Sequence, residues 1–207
     1  MLNVALPKGR LGDTVYKLFS KIGYECGEFL SDDRKLVIEG EKARYLLVKP
    51  SDVGIYVEHG AADVGVVGKD VLVETGADVY ELLDLGIGKC RLCVAAREDF
   101  IDDRNRVLRV ASKYTNSAAA YYKKLNRQIE LIKLSGSIEL APILGLSDVI
   151  VDIVESGRTL KENHLKVFEE IFLISARFIV NRSSYQFKSA EIGEMLAKLR
   201  EEIGECK

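Results

Sequence analysis

The 207-residue sequence predicts an α/β fold with largely parallel sheets. Short apolar runs of strand length alternate with segments of helical period almost from end to end. Glycine and hydroxyl residues cluster where those runs hand over to helices. Apolar residues make up 47% and charged residues 30%, the balance of a soluble globular protein that can bury a core without disulfides.

The elements follow in order. "LNVAL" reads as a first strand, and "LGDTVYKLFSKIG" puts Leu11, Val15, Leu18, Phe19 and Ile22 on one helical face, with Gly23 as its stop. "KLVIEG" and "RYLLVK" are short strands. "PSDVGIYVEHG" starts a helix near Pro50 and Asp52 and ends it before Gly60. "ADVGVVG" is a strand, "KDVLVETG" a short helix, and "VYELLDLGIG" and "CRLCVAA" are strands. The polar "REDFIDDRNR" is a boundary or a surface loop. "VLRVAS", "IELIKL" and "DVIVDIV" are strands, separated by the helix "NSAAAYYKKLN", capped by Asn116 or Ser117, and the short helix in "GSIELAPIL". "GRTLKEN" follows as a helix start, then the long β-prone run "HLKVFEEIFLISARFIVN" and a final helix, "SAEIGEMLAKLREEIGE".

Composition excludes several classes. A net charge of −2 gives no global basic field for nucleic acid. A local basic stretch, Arg109, Lys113, Lys123, Lys124, Arg127 and Lys133, reads as a solvated face, with one or two residues open to phosphate. No window approaches ~18 apolar residues, and "MLNVALPKGR" has no secretory apolar segment, so a cytoplasmic protein without membrane contact is expected. Of Cys26, Cys90, Cys93 and Cys206, the C-x-x-C pair sits in a strand, where residues three apart face opposite ways, so no fixed metal site is expected.

Four stretches carry candidate chemistry. Lys8, Gly9 and Arg10 follow the first strand, where an α/β sheet exposes its ligand edge, or they form an ordinary polar loop. Asp63 precedes a strand; it binds a ligand hydroxyl or amine, or caps a turn, and the cap is favoured. Ser135, Gly136 and Ser137 precede a helix start suited to an anion or to simple capping. His59 and His164 each sit at a helix end and receive no catalytic role. The strongest signal is "VIVDIVESGRTL". Gly157 frees backbone amides to converge on an anion, and Ser156, Thr159 and Arg158 add donors. Asp152 and Glu155 suit ribose hydroxyls or magnesium. A capped strand–helix turn is the plainer alternative, and the two acids favour a ribose-phosphate cradle.

With "ALPKGRL", "KPSDVGIYVEHGAADVGVVGKDVL", "DLGIGKCRLCVA", "RVASKY" and "KLSGSIELAPILGLSDVIVDIVESGRTLKENHL" in one order, the chain resembles ATP phosphoribosyltransferases of the short form, over nearly its whole length. The resemblance implies a two-domain fold like type II periplasmic binding proteins, with a cleft between the domains. It implies a first domain of residues 1–92 plus 177–207 and a second of 93–176. It also implies condensation of ATP, through adenine N1, with phosphoribosyl pyrophosphate, the first step of histidine biosynthesis. By the same match, Asp152, Glu155, Ser156, Gly157, Arg158, Thr159 and Leu160 form the phosphoribosyl pyrophosphate loop, with Asp152 and Glu155 as the catalytic acids. Lys8, Gly9, Arg10, Lys49, Asp63, Ser135, Gly136 and Ser137 help hold ATP or pyrophosphate, and Mg²⁺ arrives with the phosphates. The implied partners are a regulatory subunit resembling histidyl-tRNA synthetase and a second catalytic chain. The sequence departs from the family's usual Arg, Pro, Pro and Gly at Lys49, Gly54, Thr115 and His164. A solute receptor on the same fold would lack the acid-rich loop. Another phosphoribosyltransferase with a Rossmann-like core would share it, but not "ALPKGRL" or "GAADVGVVG".

Overall fold

A computed structural model describes residues 1–26 and 35–204; Cys206 and Glu205, the last residue expected of the final helix, lie outside them. The chain divides into two units, one of Met1–Gly88 with the segment from Ser175 onward, the other of Lys89–Ile174.

The first unit is built on a six-stranded sheet. β1 (Leu2–Pro7) lies parallel between β3 (Ala43–Val48) and β4 (Val64–Gly68). β2 (Val37–Glu39) pairs antiparallel with β3, and β11 (Ala176–Val180) lies antiparallel between β4 and β5 (Tyr80–Asp84). β1 is apolar except for Asn3 because both its faces are covered. Leu2, Val4 and Leu6 pack with α1 (Arg10–Lys21) and α8 (Ser189–Glu202), through Val15, Phe19, Ile192, Met195 and Leu199. Ala5 faces the other way, towards α2 (Val53–Glu58) and α3 (Lys69–Thr75). Each fully buried Phe or Leu here contributes about 1.5–3 kcal/mol. α2 is preceded by a 3-10 turn at Pro50–Asp52.

The second unit carries a five-stranded sheet in the order β10-β6-β9-β7-β8. β7 (Leu108–Ser112) lies parallel between β8 (Ile129–Lys133) and β9 (Val149–Val154). β6 (Cys90–Arg97) is antiparallel to both β9 and β10 (Leu165–Ile174). α4 (Thr115–Lys124) covers one face through Ala118 and Tyr122. α5 (Leu140–Ile143) and α6 (Arg158–Glu162) cover the other through Ala141 and Leu160. Cys93 packs on the α5–α6 face and Cys90 on the α4 face, as residues three apart on a strand must. No helix among the described residues is long and apolar enough to cross a membrane.

Four sequence expectations change. The sheets are mixed: parallel pairing is confined to β3-β1-β4 and β9-β7-β8, and the pairs β2-β3, β4-β11, β11-β5, β10-β6 and β6-β9 are antiparallel. The expected boundaries at 92/93 and 176/177 move to 88/89 and 174/175. A cut after Leu92 would split β6, whose pairing with β10 starts at Cys90, and Ala176 already pairs with Gly68 in β11. α4 starts at Thr115 rather than behind Asn116 or Ser117. The buried Ser112 hydroxyl accepts from Tyr114 N (2.8 Å) and donates to Val151 O (2.6 Å), which turns the chain one step earlier. A further helix, α7 (Arg182–Phe187), precedes the last one, capped by Asn181 accepting from Ser184 N at 2.9 Å. The polar run Arg97–Arg106 is a surface loop of the second unit, not a boundary.

One close approach sets the start of α1. A Cβ on Gly12 would lie 1.9 Å from the Pro7 carbonyl oxygen. Only glycine lets the helix leave β1 so tightly. Gly12→Ala is therefore expected to destabilise the protein by about 1–3 kcal/mol, read as a lower midpoint in urea unfolding with the slope unchanged.

Candidate active site

The β9–α6 loop is built by strand alternation and one left-handed residue. On β9, Ile150 and Val154 face the α5–α6 side, so Asp152 between them faces that side too. Glu155 and Ser156 follow, exposed, and Gly157 takes φ 75° and ψ 4°, a conformation that strains any L side chain. That turn brings Arg158 N within 3.4 Å of Ser156 Oγ. Thr159 presents an exposed side chain, while its carbonyl accepts from Asn163 Nδ2 at 2.9 Å. Leu160 is buried in the core beneath, so its side chain anchors the loop and only its main chain can reach a ligand. α6 has five residues, so its dipole is small and any anion here would depend on the loop amides. His164, just beyond, adopts φ 55°, the left-handed conformation a glycine would take.

The loop stands at a topological switch point. Parallel pairing puts the carboxyl ends of β8, β7 and β9 at one edge. After β7 the chain turns to α4 on one face; after β9 it turns to α6 on the other. Ligands bind where such connections diverge. Three loops meet this edge: Lys113–Tyr114 after β7, the Ser135, Gly136, Ser137 turn after β8, and Glu155–Gly157 after β9. The Ser135–Ser137 residues are all exposed, and Ser137 has φ 48°. Burial pushes the Asp152 carboxyl above its ordinary value. The Ile153 N–H, donating to Oδ1 at 2.8 Å, opposes this; Glu139 reinforces it and Lys113 counters it. Glu139 and Lys113 thus belong to the electrostatics of this site. Sequence reading placed neither there, because they lie 13 and 39 residues away along the chain. Of the other basic residues, Arg109 is committed to Asp148, with Nη2 to Oδ1 at 2.8 Å, and Arg127 to Asp102 at 2.7 Å.

The first unit gathers a second group. Lys8, Gly9 and Arg10 follow β1 and Lys49 follows β3, all exposed at the carboxyl edge of the parallel strands. Gly9 has φ 96°, and Lys8 N extends the ladder to Val48 O at 2.8 Å. The helices after β1 and β4 again leave to opposite faces. Asp63 does not join this group. It precedes β4, at the opposite edge, 4% exposed, and accepts from Asn3 N (2.8 Å), Ser184 Oγ (2.7 Å) and Lys188 Nζ (2.7 Å). Burial alone would raise its carboxyl; these donors outweigh it and hold it below the ordinary range. Its expected contact with ATP or pyrophosphate is therefore replaced by a structural role: it ties β1 and β4 to α7 and α8. Among the described residues no three His, Cys, Asp or Glu side chains are grouped to hold a metal ion.

An acid–Gly–hydroxyl loop at a switch point of a two-unit α/β fold is an arrangement that suits a phosphoribosyltransferase, and known proteins similar to this chain fall in that class. The ATP phosphoribosyltransferase (HisG) family model matches residues 49–201. An ATP phosphoribosyltransferase of Brachyspira hyodysenteriae is 59% identical over 97% of this chain and 99% of its own length. One of Caldanaerobacter subterraneus subsp. tengcongensis is 50% identical over 98% of each. Among solved structures, the ATP phosphoribosyl transferase (HisG:HisZ) complex from Thermotoga maritima superposes with a TM-score of 0.86 at 38% identity, covering 98% of each chain. The sulphonate-binding protein SsuA from Escherichia coli, at 14% identity, 98% coverage of this chain and 72% of its own, and a TM-score of 0.61, shares the fold. The chain belongs to the ATP phosphoribosyltransferase family, the glycosyl-transferring enzymes that join ATP to phosphoribosyl pyrophosphate in the first step of histidine biosynthesis.

The role given to Asp63 is testable. Asp63→Ala is expected to lower stability at pH 7 by about 1–3 kcal/mol while leaving both substrate Michaelis constants unchanged. Because its folded value is depressed, the contribution is full above the unfolded value of about 3.9 and fades as pH falls through the folded one. Urea titrations of both proteins from pH 7 to pH 3 measure that convergence.

Proposed function

We propose that the β9–α6 loop, Asp152 to Leu160, holds phosphoribosyl pyrophosphate, and that Lys8, Gly9, Arg10, Lys49 and the Ser135–Ser137 turn serve ATP or the pyrophosphate. The observation that carries this reading is the coincidence of an acid–Gly–hydroxyl loop with the switch point of the second sheet. The 5-phosphate sits against the loop amides and the Ser156 and Thr159 hydroxyls. Arg158 donates to Glu162 at 2.7 Å, but both side chains are exposed, and such a pair is worth only about 0.3–0.5 kcal/mol. It is therefore easily redirected to phosphate.

Adenine N1 has a lone pair and no proton, so its attack on ribose C1 needs no general base. The requirements are alignment and charge management. Positive charge develops on the ribose as the bond to pyrophosphate lengthens. Asp152, withdrawn from water on the covered face of β9, stabilises that charge more than an exposed carboxylate would. Exposed Glu155 is placed for the ribose hydroxyls. Mg²⁺ arriving with the substrate's phosphates would neutralise pyrophosphate charge, with Asp152 or Glu155 completing its oxygen ligands. Lys8, Arg10 and Lys49 offer cationic donors to the phosphates.

The match to a HisG:HisZ complex supports a regulatory partner of the HisZ kind; that this partner resembles histidyl-tRNA synthetase and that catalytic chains pair inside the hetero-oligomer belong to the same proposal. A cytoplasmic setting follows from the substrates.

Thr159→Ala is expected to raise the Michaelis constant for phosphoribosyl pyrophosphate roughly 10-fold and that for ATP little. Equal effects on both would remove the loop from that substrate. Asp152→Asn should cut turnover on the order of 100-fold with an unchanged circular dichroism spectrum. Since Glu139 raises the Asp152 carboxyl, Glu139→Gln should move the acid limb of the pH–turnover profile to lower pH. An unmoved or upward-shifted limb would assign that limb to another group.

A further inference from the structure

The second unit contains a cavity of about 210 Å³ away from the substrate edge. It opens beside Leu108 and Val149, the first residues of β7 and β9, whereas the phosphoribosyl loop follows the last residues of those strands. Nothing in the proposed reaction uses it.

Three features mark it as a built site. First, its walls are aromatic pairs set edge to face: Phe100 with Phe168, centroids 5.6 Å apart at 88°, and Tyr121 with Tyr122, 5.1 Å apart at 73°. Such walls accept a further flat ring against faces and edges. Second, Phe168 and Glu169 both line it although they are adjacent in β10. Neighbours in a regular strand point to opposite faces. Here the pairing with β6 slips between Val167 and Glu169, and that bulge turns both residues to one side. Third, the lining Arg127 is buried, with Nη1 and Nη2 committed to the Arg106 carbonyl and Asp102 at 2.7 Å each, while its Nε has no hydrogen-bond partner. A buried N–H without an acceptor is costly and suits an acceptor brought by a ligand.

We propose that this cavity binds a planar nitrogen heterocycle of bicyclic size, which presents a ring-nitrogen acceptor to Arg127 Nε and an N–H to the Glu169 carboxylate. A cavity of about 150 Å³ takes benzene, so this one has room for the second ring. Aromatic walls supply the burial; of the polar lining, Asp102 is already bound by Arg127, and the unpartnered Arg127 Nε with the Glu169 carboxylate sets the orientation. Because the cavity touches α4, β7 and β10, its occupancy stiffens the unit that carries the phosphoribosyl loop without competing for that loop.

The test uses benzimidazole, which has both the ring acceptor and the N–H, and indole, which has the N–H alone. Saturation-transfer NMR with the full chain, under saturating ATP and magnesium, should show saturable benzimidazole binding with a dissociation constant on the order of 1 mM. Indole should bind roughly 5-fold more weakly. Leu125→Trp, at the half-exposed rim, should abolish binding, and Phe168→Ala should weaken it roughly 10-fold. Thermal unfolding followed by circular dichroism reports that each variant is folded; should one not fold, the other decides. Absence of saturable binding, displacement by ATP, equal affinity for indole, or unchanged binding in a folded variant would each overturn the proposal.

Discussion

Hydrogen bonding of β7 to β9 on one side and to β8 on the other places three strand ends at a single edge. The side chains of those strands then decide where each following helix must go. Val110, Val149 and Val151 need cover on one face, Ala111, Ile150 and Val154 on the other. α4 takes the first and α5 and α6 the second, so the connections after β7 and β9 part. The gap between them is a consequence of covering a two-faced apolar sheet, and the acids, hydroxyls and Gly157 occupy it. The same logic holds in the first unit, where α1 and α2 cover opposite faces of β1 and leave Lys8 to Arg10 at the edge.

Two aspartates at the two ends of β9 show how environment divides labour. Asp148 is buried, which alone would raise its carboxyl, yet Arg109 grips it from side chain and backbone and holds it below the ordinary range. Asp152 is also withdrawn from water, but only a backbone N–H and the exposed Lys113 favour its charge, while Glu139 opposes it, so it lies above that range. Groups with perturbed values in opposite directions separate into structural and chemical roles. Asp148 is satisfied as it stands. Asp152 has only a backbone N–H and the charge of Lys113 in its favour, which is the environment expected of the role proposed for it beside a developing positive charge on ribose.

Legibility in the sequence followed distance along the chain. The β9–α6 loop is readable because its chemistry is local: strand, acids, glycine and hydroxyls fall within about ten residues, and the left-handed conformation of Gly157 is a detail the structure adds. The element order was readable for the same reason. Strand pairing was not. The antiparallel places of β6 and β11 depend on partners up to about a hundred residues away, so alternation alone suggested more parallel sheet than forms. Asp63 was ambiguous because its donors, Ser184 and Lys188, come from the far end of the chain. The six-residue α7 has too few turns to show a period.

The bulge in β10 belongs to the same class of hidden feature, and its placement has a physical reason. β10 is the edge strand, held on one side by β6, so a slipped register there breaks no second ladder. In β9 or β7, paired on both sides, the same slip would disturb two ladders and turn Asp152 or Ser112 to the wrong face. Surface chemistry can therefore vary along the edge strands, β10 and β8, without disturbing the register on which the β9–α6 loop depends. Phe168 and Glu169 stand at the first slip of β10; the second, between Glu170 and Phe172, lies further along it. The doubly paired centre of the sheet carries the loop proposed for transfer, and the permissive edge is where a separate site can be built without disturbing it.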